Sequence, residues 1–241
     1  MNSPVGLILG SGWGKIIEDV KNKKEKGFEE VFGKKTTVPG HSGKIITGTL
    51  QGKKLIILSG RFHTYEGYSS SEVSKTVKFL HQESVKKVII TSAAGALNPK
   101  YKVGDLIILK DLITIFCQSP LTGPQFQNLS QPFSPKLIKL AQKSTTEIKL
   151  PLQKGVYVYM KGPHFETFAD KIALRLLGAD VVGMSTVPEV IMANHLGMQV
   201  LGLSLVTNLA FVKHDHKAVL AVVKNQEEKL RNFFLTLIKS L

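Results

Sequence analysis

Cysteine is almost missing from this chain. A single Cys117 among 241 residues excludes a disulfide framework and a thiolate zinc site, and it suits a reducing compartment. Long apolar runs are missing too, and none approaches the roughly 20 residues needed to cross a bilayer. The N-terminal MNSPVGLILG has neither a basic n-region nor an extended apolar h-region, so no leader is expected and the cytoplasm is the default location. Repeats and linkers of domain-boundary character are also lacking, so residues 1–241 read as a single domain. Acidic residues are scarce: 18 against 32 basic ones leave a net charge of +14. Such a balance favours anionic partners. The lysines, however, are scattered in pairs such as Lys34-Lys35, Lys53-Lys54 and Lys86-Lys87. The densest run, KNKKEK at 21–26, carries no interleaved aromatics and reads as the solvated end of a helix. Neither a nucleic-acid partner nor a membrane is expected, whereas a small anion such as phosphate fits.

What is present is a core. Hydrophobic residues make up 43% of the chain and charged ones 21%, a globular balance. Short apolar runs at Val5–Leu9, Leu55–Leu58, Val85–Thr91, Val156–Met160, Val181–Gly183 and Met198–Val206 read as buried strands. Further β-rich stretches cover 36–38, 44–51 and 103–117, with Gln51-Gly52 a hairpin turn. Helices are expected after Gly14 to about Lys24, then over 70–83, 134–143 with Ser134 as cap, 167–177, 187–196 and 216–239. Gln118–Pro132, rich in Pro, Gln and Ser, is the longest loop. Strands alternating with helices predict an α/β sandwich around a mostly parallel or mixed sheet.

The polar chemistry gathers where these strands end. Val5–Leu9 runs into Gly10-Ser11-Gly12-Trp13-Gly14, a strand, glycine turn and helix in the general form of a phosphate cradle, with Ser11 a candidate contact. It is neither a Walker loop nor the dinucleotide fingerprint, because the spacing to Lys15 is wrong for one and Lys15 replaces a glycine in the other. Leu55–Leu58 delivers SGRFHTYEGY. Arg61 supplies a planar fork suited to phosphate, His63 could donate to an anion with Glu66 holding its ring, and Tyr65 suits a sugar. His41 lies in a loop, where a lone histidine is more often solvated. Small residues at Thr91–Asn98 let a ligand approach the backbone. Gly162-Pro163 leads to Glu166 between Phe165 and Phe168, and Met184-Ser185-Thr186 opens a helix. There Thr186 and Glu189 match an S/T-x-x-E capping box, although the same helix start could bind an anion.

Taken together and in this order, GSGWG, RFHTYEGY, TSAAGALNP, GPHFET, VGMSTVPE and VTN resemble the trimeric, low-molecular-mass purine nucleoside phosphorylases over nearly the whole chain. The resemblance implies a nucleoside phosphorylase-like α/β/α sandwich with a mixed central sheet. It implies phosphorolysis of 6-oxopurine nucleosides to free base and (deoxy)ribose 1-phosphate, with inorganic phosphate as co-substrate and no metal or organic cofactor. Phosphate would meet Ser11, Arg61, His63, Ser185 and the Ala93 amide. Ribose would lie against Tyr65 and Met184, with His216 near the 5′-hydroxyl and His214 the alternative. The base would meet Glu166, Asn208 and Phe165, and Asn208, Glu166 and His63 would carry the catalysis. A homotrimer is implied, in which an aromatic from the 118–132 loop closes the neighbour's sugar pocket. Phe126 is the candidate and Phe133 the alternative, in a loop that is short for the family. Methylthioadenosine phosphorolysis, in the same fold family, is the competing reading; that branch carries Asp where this chain has Asn208.

Overall fold

The computed structural model describes residues 3–212 and 216–241, the latter without the side chains of 216–218. Nine strands form one mixed sheet in the order β2-β3-β4-β1-β5-β8-β7-β6-β9. Its spine is parallel: β1 (Val5–Leu9) lies between β4 (Lys53–Ser59) and β5 (Lys87–Ala96). Both faces of the spine are covered, so its central stretches, residues 7–9, 55–58 and 88–90, are apolar without interruption. Ile8, Ile56, Leu58, Val88 and Ile90 point to one face. There they pack with Val73 of α2 (Ser70–Val73), Val77 and Leu80 of α3 (Lys75–Gln82) and Val190 of α6 (Val187–His195). Leu7, Leu9, Leu55, Ile57 and Ile89 point the other way, against Leu137 of α4 (Pro135–Glu147) and Phe233, Phe234 and Leu237 of α7 (His216–Ser240). Each fully buried side chain of this kind contributes about 1.5–3 kcal/mol. The result is the expected sandwich of helices on a mixed sheet.

The sheet also curls. β9 (Gln199–Leu209) pairs with β5 along its length and antiparallel with β6 (Leu106–Ile113). β6 in turn pairs with β7 (Leu152–Tyr159), β7 with β8 (Val181–Gly183), and β8 with the end of β5. These strands therefore close on themselves and converge on the end of β5.

Several local expectations needed correction. KNKKEK is not a helix end. The helical stretch after the glycine turn is a 3-10 turn over Gly14–Asp19, and Lys21–Gly27 is strand β2, antiparallel to β3 (Lys44–Leu50). Its side chains are nearly all exposed, so no apolar period marks it. Lysines on an exposed edge are the usual guard against edge-to-edge pairing. Residues 36–38 form no strand, and the short helix α1 (Phe28–Phe32) precedes them. The helix expected over 70–83 is two, divided at Ser74. Strands β5 and β9 run on past the expected ends at Thr91 and Val206, through residues 92–96 and 207–209. The Gln51-Gly52 turn is as expected, with φ of 50° and 74° at its two central residues. Ser134 caps α4, accepting from the Leu137 amide, and Thr167 caps α5 (Phe168–Leu176) in a box with Asp170.

Candidate active site

A cavity of about 440 Å³ opens where β1, β4, β5, β8 and β9 end. Ser11, Arg61, His63, Tyr65, Ala93, Phe165, Glu166, Met184, Ser185 and Asn208 all line it. Residues between 11 and 208 thus meet in one place, because adjacent strands of the sheet present their ends together.

Part of the cavity wall is cationic. Arg61 is 1% exposed, held from behind by carbonyls of β5 and β1: Nη2 donates to Thr91 O at 2.6 Å and to Ile8 O at 3.4 Å. Nη1 donates to Ser185 Oγ at 2.9 Å. Ser185 is aimed in turn by Tyr157, a fully buried residue whose hydroxyl oxygen accepts the Ser185 amide at 3.2 Å. Burial pushes the Tyr157 phenol up to about 12, so it stays protonated. The next residue, Thr186, has φ 72° and ψ −50°, and the Val187 amide bonds back to Ser185 O at 2.8 Å. This is a γ-turn of the rare positive-φ kind on a β-branched residue, a conformation costing about 1–3 kcal/mol. It takes up the Val187 amide, and Pro188 has none. The expected capping box is therefore not formed, and Thr186 makes no side-chain cap.

Next to Arg61 stand three stacked rings: His41 on His63 at 5.1 Å between centroids, and His63 on Tyr65 at 4.6 Å. His63 Nδ1 lies 2.8 Å from Glu66 Oε1, as expected of a carboxylate holding the ring. Glu66 also accepts from the His63 amide and from Thr37. Burial raises its carboxyl, but the His63 ring and the Thr37 amide outweigh that and hold it at about 2. Burial lowers His63, against the pull of Glu66. With Nδ1 committed to Glu66, Nε2 remains for a ligand.

His41 is the residue the sequence undervalued. It is not a solvated loop histidine. Its Nδ1 accepts the Arg61 amide at 3.3 Å, which leaves Nε2 as the donor toward Ser11 Oγ, 3.5 Å away. Burial, then the neighbouring His63 and Arg61, pushes it down to about 3, so it is neutral. No local pattern links it to Arg61; only the β3–β4 hairpin brings the two together.

The same cavity is lined by a carboxylate and an amide, those of Glu166 and Asn208. Glu166, 9% exposed, lies beside Phe165. Asn208 sits just past a register shift between β5 and β9, where Ala94 pairs with Val206 but Gly95 pairs with Asn208. A methyl on Gly95 would stand 2.8 Å from Asn208 Nδ2, so glycine makes room for the amide. The Thr207 hydroxyl donates to Asn208 Oδ1 at 2.9 Å, which fixes that atom as the amide oxygen and Nδ2 as the donor end. Thr207, part of the VTN motif, and Val219 of α7, which the sequence marks only as one apolar residue of a helix, also line the cavity.

Two expected contributors lie elsewhere. Phe126 is 95% exposed and does not line this chain's cavity. Phe133, its alternative, is 2% exposed and packs in the core near Gly202, so it is not available to a neighbour. His216 opens α7, but its side chain lies outside the described residues, as does His214.

The family model of the phosphorylase superfamily matches residues 4–239. Purine nucleoside phosphorylase 1 of Bacillus subtilis is 40% identical over 98% of this chain and 90% of its own length. Among solved structures, Schistosoma mansoni purine nucleoside phosphorylase in complex with inosine superposes with a TM-score of 0.92 at 37% identity, covering 99% of this chain and 91% of that one. The same enzyme in complex with adenosine gives 0.90 at 38% identity, with the same coverage.

Proposed function

The chain belongs to the phosphorylase superfamily, and within it to the purine nucleoside phosphorylases; from that premise we propose that it cleaves 6-oxopurine (deoxy)ribonucleosides such as inosine and guanosine with inorganic phosphate. The products are the free base and (deoxy)ribose 1-phosphate, as in purine salvage in the cytoplasm, and no metal or organic cofactor takes part. One observation carries this reading. The cationic, hydroxyl-bearing cluster of Ser11, Arg61, His63 and Ser185 shares one cavity with the carboxylate of Glu166 and the amide of Asn208, with Tyr65 and Met184 also on its wall.

Phosphate sits against Arg61, His63, Ser11, Ser185 and the Ala93 amide. His63 Nε2 either accepts the phosphate O–H or, once protonated, donates to an anionic oxygen. In both cases one proton lies between them while Glu66 fixes the ring. Breaking the glycosidic bond builds positive charge on the sugar and negative charge on the purine. Phosphate stabilises the first and attacks C1′ from the opposite face. Asn208 Nδ2 donates to N7 of the departing base, and Glu166 accepts from N1–H. Donors that bind best once the charge has developed are the ones that accelerate the step; losing one costs about 10²–10³ in rate.

Adenosine reverses the pattern at Glu166, since its N1 is a bare acceptor. The mismatch predicts roughly tenfold to hundredfold discrimination against it. The adenosine complex of the Schistosoma mansoni enzyme makes this comparison worth measuring for this chain. Asn208 in place of Asp argues against methylthioadenosine as substrate.

The working form is a homotrimer in which Phe126 reaches the neighbour's sugar pocket. Phe126 is 95% exposed, and α5 carries a bare apolar stripe of Phe168, Ile172 and Leu176 beside Phe211, 6.2 Å from Phe168 between centroids. Patches of this kind mark contact surfaces. Incubation with inosine, with and without phosphate, tests the reaction: hypoxanthine should form only when phosphate is present.

A further inference from the structure

Glu189 matches a capping pattern in the sequence, yet the reciprocal cap from the Thr186 side chain is not made. It is the most enclosed carboxylate among the described residues, 0% exposed, and its Oε1 stands 3.3 Å from Arg61 Nε. Neither of its oxygens is aligned for a hydrogen bond. The Nη1 and Nη2 groups of Arg61 are committed to Ser185, Thr91 and Ile8. Glu189 therefore meets the guanidinium at Nε, while Ser185 meets it at Nη1.

A buried ion pair with so few supporting hydrogen bonds is a poor stabiliser, and well-packed apolar residues commonly do as well. Burial also drives this carboxyl up, opposed by the Arg61 charge and, after it, by the nearby Thr186 backbone amide. The pair makes sense if the charge of Arg61 has to be kept buried and ready while the cavity holds no anion. We propose that Glu189 is a positioning residue acting through Arg61: it is the resident countercharge of the phosphate arm, and it holds phosphate affinity down. The inference rests on the reading that phosphate binds at Arg61 and Ser185. With phosphate bound, two anions share one guanidinium, and each weakens the other's attraction to it. Tight ground-state binding of phosphate would not speed turnover, so a moderated arm suits a catalyst.

The test is thermal unfolding of the parent, Glu189→Gln and Glu189→Asp across a series of inorganic phosphate concentrations at constant ionic strength. Without phosphate, Glu189→Gln should melt below the parent, because its buried guanidinium lacks a partner. Phosphate should raise its Tm by more than it raises the parent's, giving a phosphate Kd about tenfold lower. Glu189→Asp keeps the charge and should keep the parent's phosphate Kd, and the inosine KM of Glu189→Gln should stay within about twofold. An unchanged or higher phosphate Kd in Glu189→Gln overturns the inference, as does a Tm penalty that is the same at every phosphate concentration. Precipitation only when phosphate is withdrawn supports it; precipitation with phosphate present overturns it. A parent that phosphate fails to stabilise would overturn the phosphate site itself, and this inference with it.

Discussion

Gly183→Ala is a small change with a large expected effect. Gly183 ends β8, and a methyl group built there would stand 2.3 Å from Tyr157 Oη, 2.9 Å from Cζ and 3.1 Å from Cε2. The ring cannot retreat freely, since Tyr157 is fully buried in the core. Overpacking of this kind costs about 1–3 kcal/mol. When the ring does yield, Oη leaves the part-buried Ser185 amide, and an unpaired donor there adds about 1 kcal/mol, the low end of the range for a buried one. Roughly 2–4 kcal/mol in a chain of this length lowers Tm by about 4–16 °C. The same displacement disturbs Ser185, a proposed phosphate contact. Scanning calorimetry should record the Tm loss, and steady-state kinetics should show the phosphate KM rising more than the inosine KM. The double variant Gly183→Ala with Tyr157→Phe removes the 2.3 Å contact and should recover part of the stability. It cannot restore an acceptor for Ser185, so the phosphate KM should stay high. A Gly183→Ala variant that melts with the parent and keeps its phosphate KM would refute the reasoning.

Asn208→Asp should raise catalytic efficiency on adenosine relative to inosine by about tenfold or more, because Asp accepts from a 6-amino group; an unchanged ratio would remove Asn208 from base recognition. Phe126→Ala should weaken nucleoside binding while leaving Tm nearly unchanged, as suits a side chain with little to lose within its own chain; full activity, or a monomer by light scattering, would count against the shared site. Acid should destabilise the protein in two stages. His41 titrates near 6.5 when unfolded but only at about 3 when folded, so below pH 6.5 the unfolded chain binds a proton that the native state refuses, and stability falls toward pH 3. Glu66, held at about 2 against 4.5, extends the loss below pH 4.5. His41→Asn should flatten the slope between pH 6.5 and 4.5 in urea titrations, without abolishing it because His63 is lowered too. An unaltered slope would mean that His41 is not held neutral.

The buried strands were legible because a strand covered on both faces is apolar at every position, and Leu7, Ile8 and Leu9 announce this in a few letters. Arg61, His63 and Glu66 were legible because polar residues directly after such a run have few structural reasons to be there. β2 was not, since an exposed edge strand of lysines has no buried face to give it a period. β5 and β9 outran their expected ends because small residues read as loop whenever their neighbours across the sheet are unknown. His41 depended on a hairpin folding back, and Glu189 on a strained turn that defeats a local capping pattern. A short-range rule could reach neither, since both residues serve a partner far off in the sequence.

Phosphate dependence bears most directly on the account as a whole. Purified protein is supplied with inosine in phosphate-free buffer, phosphate is then added, and hypoxanthine and ribose 1-phosphate are followed separately. The cluster of Ser11, Arg61, His63 and Ser185 predicts negligible base release before the addition, and equimolar hypoxanthine and ribose 1-phosphate after it. Equal rates of base release in both conditions, with free ribose as the sugar product, would make the enzyme a hydrolase and contradict the account.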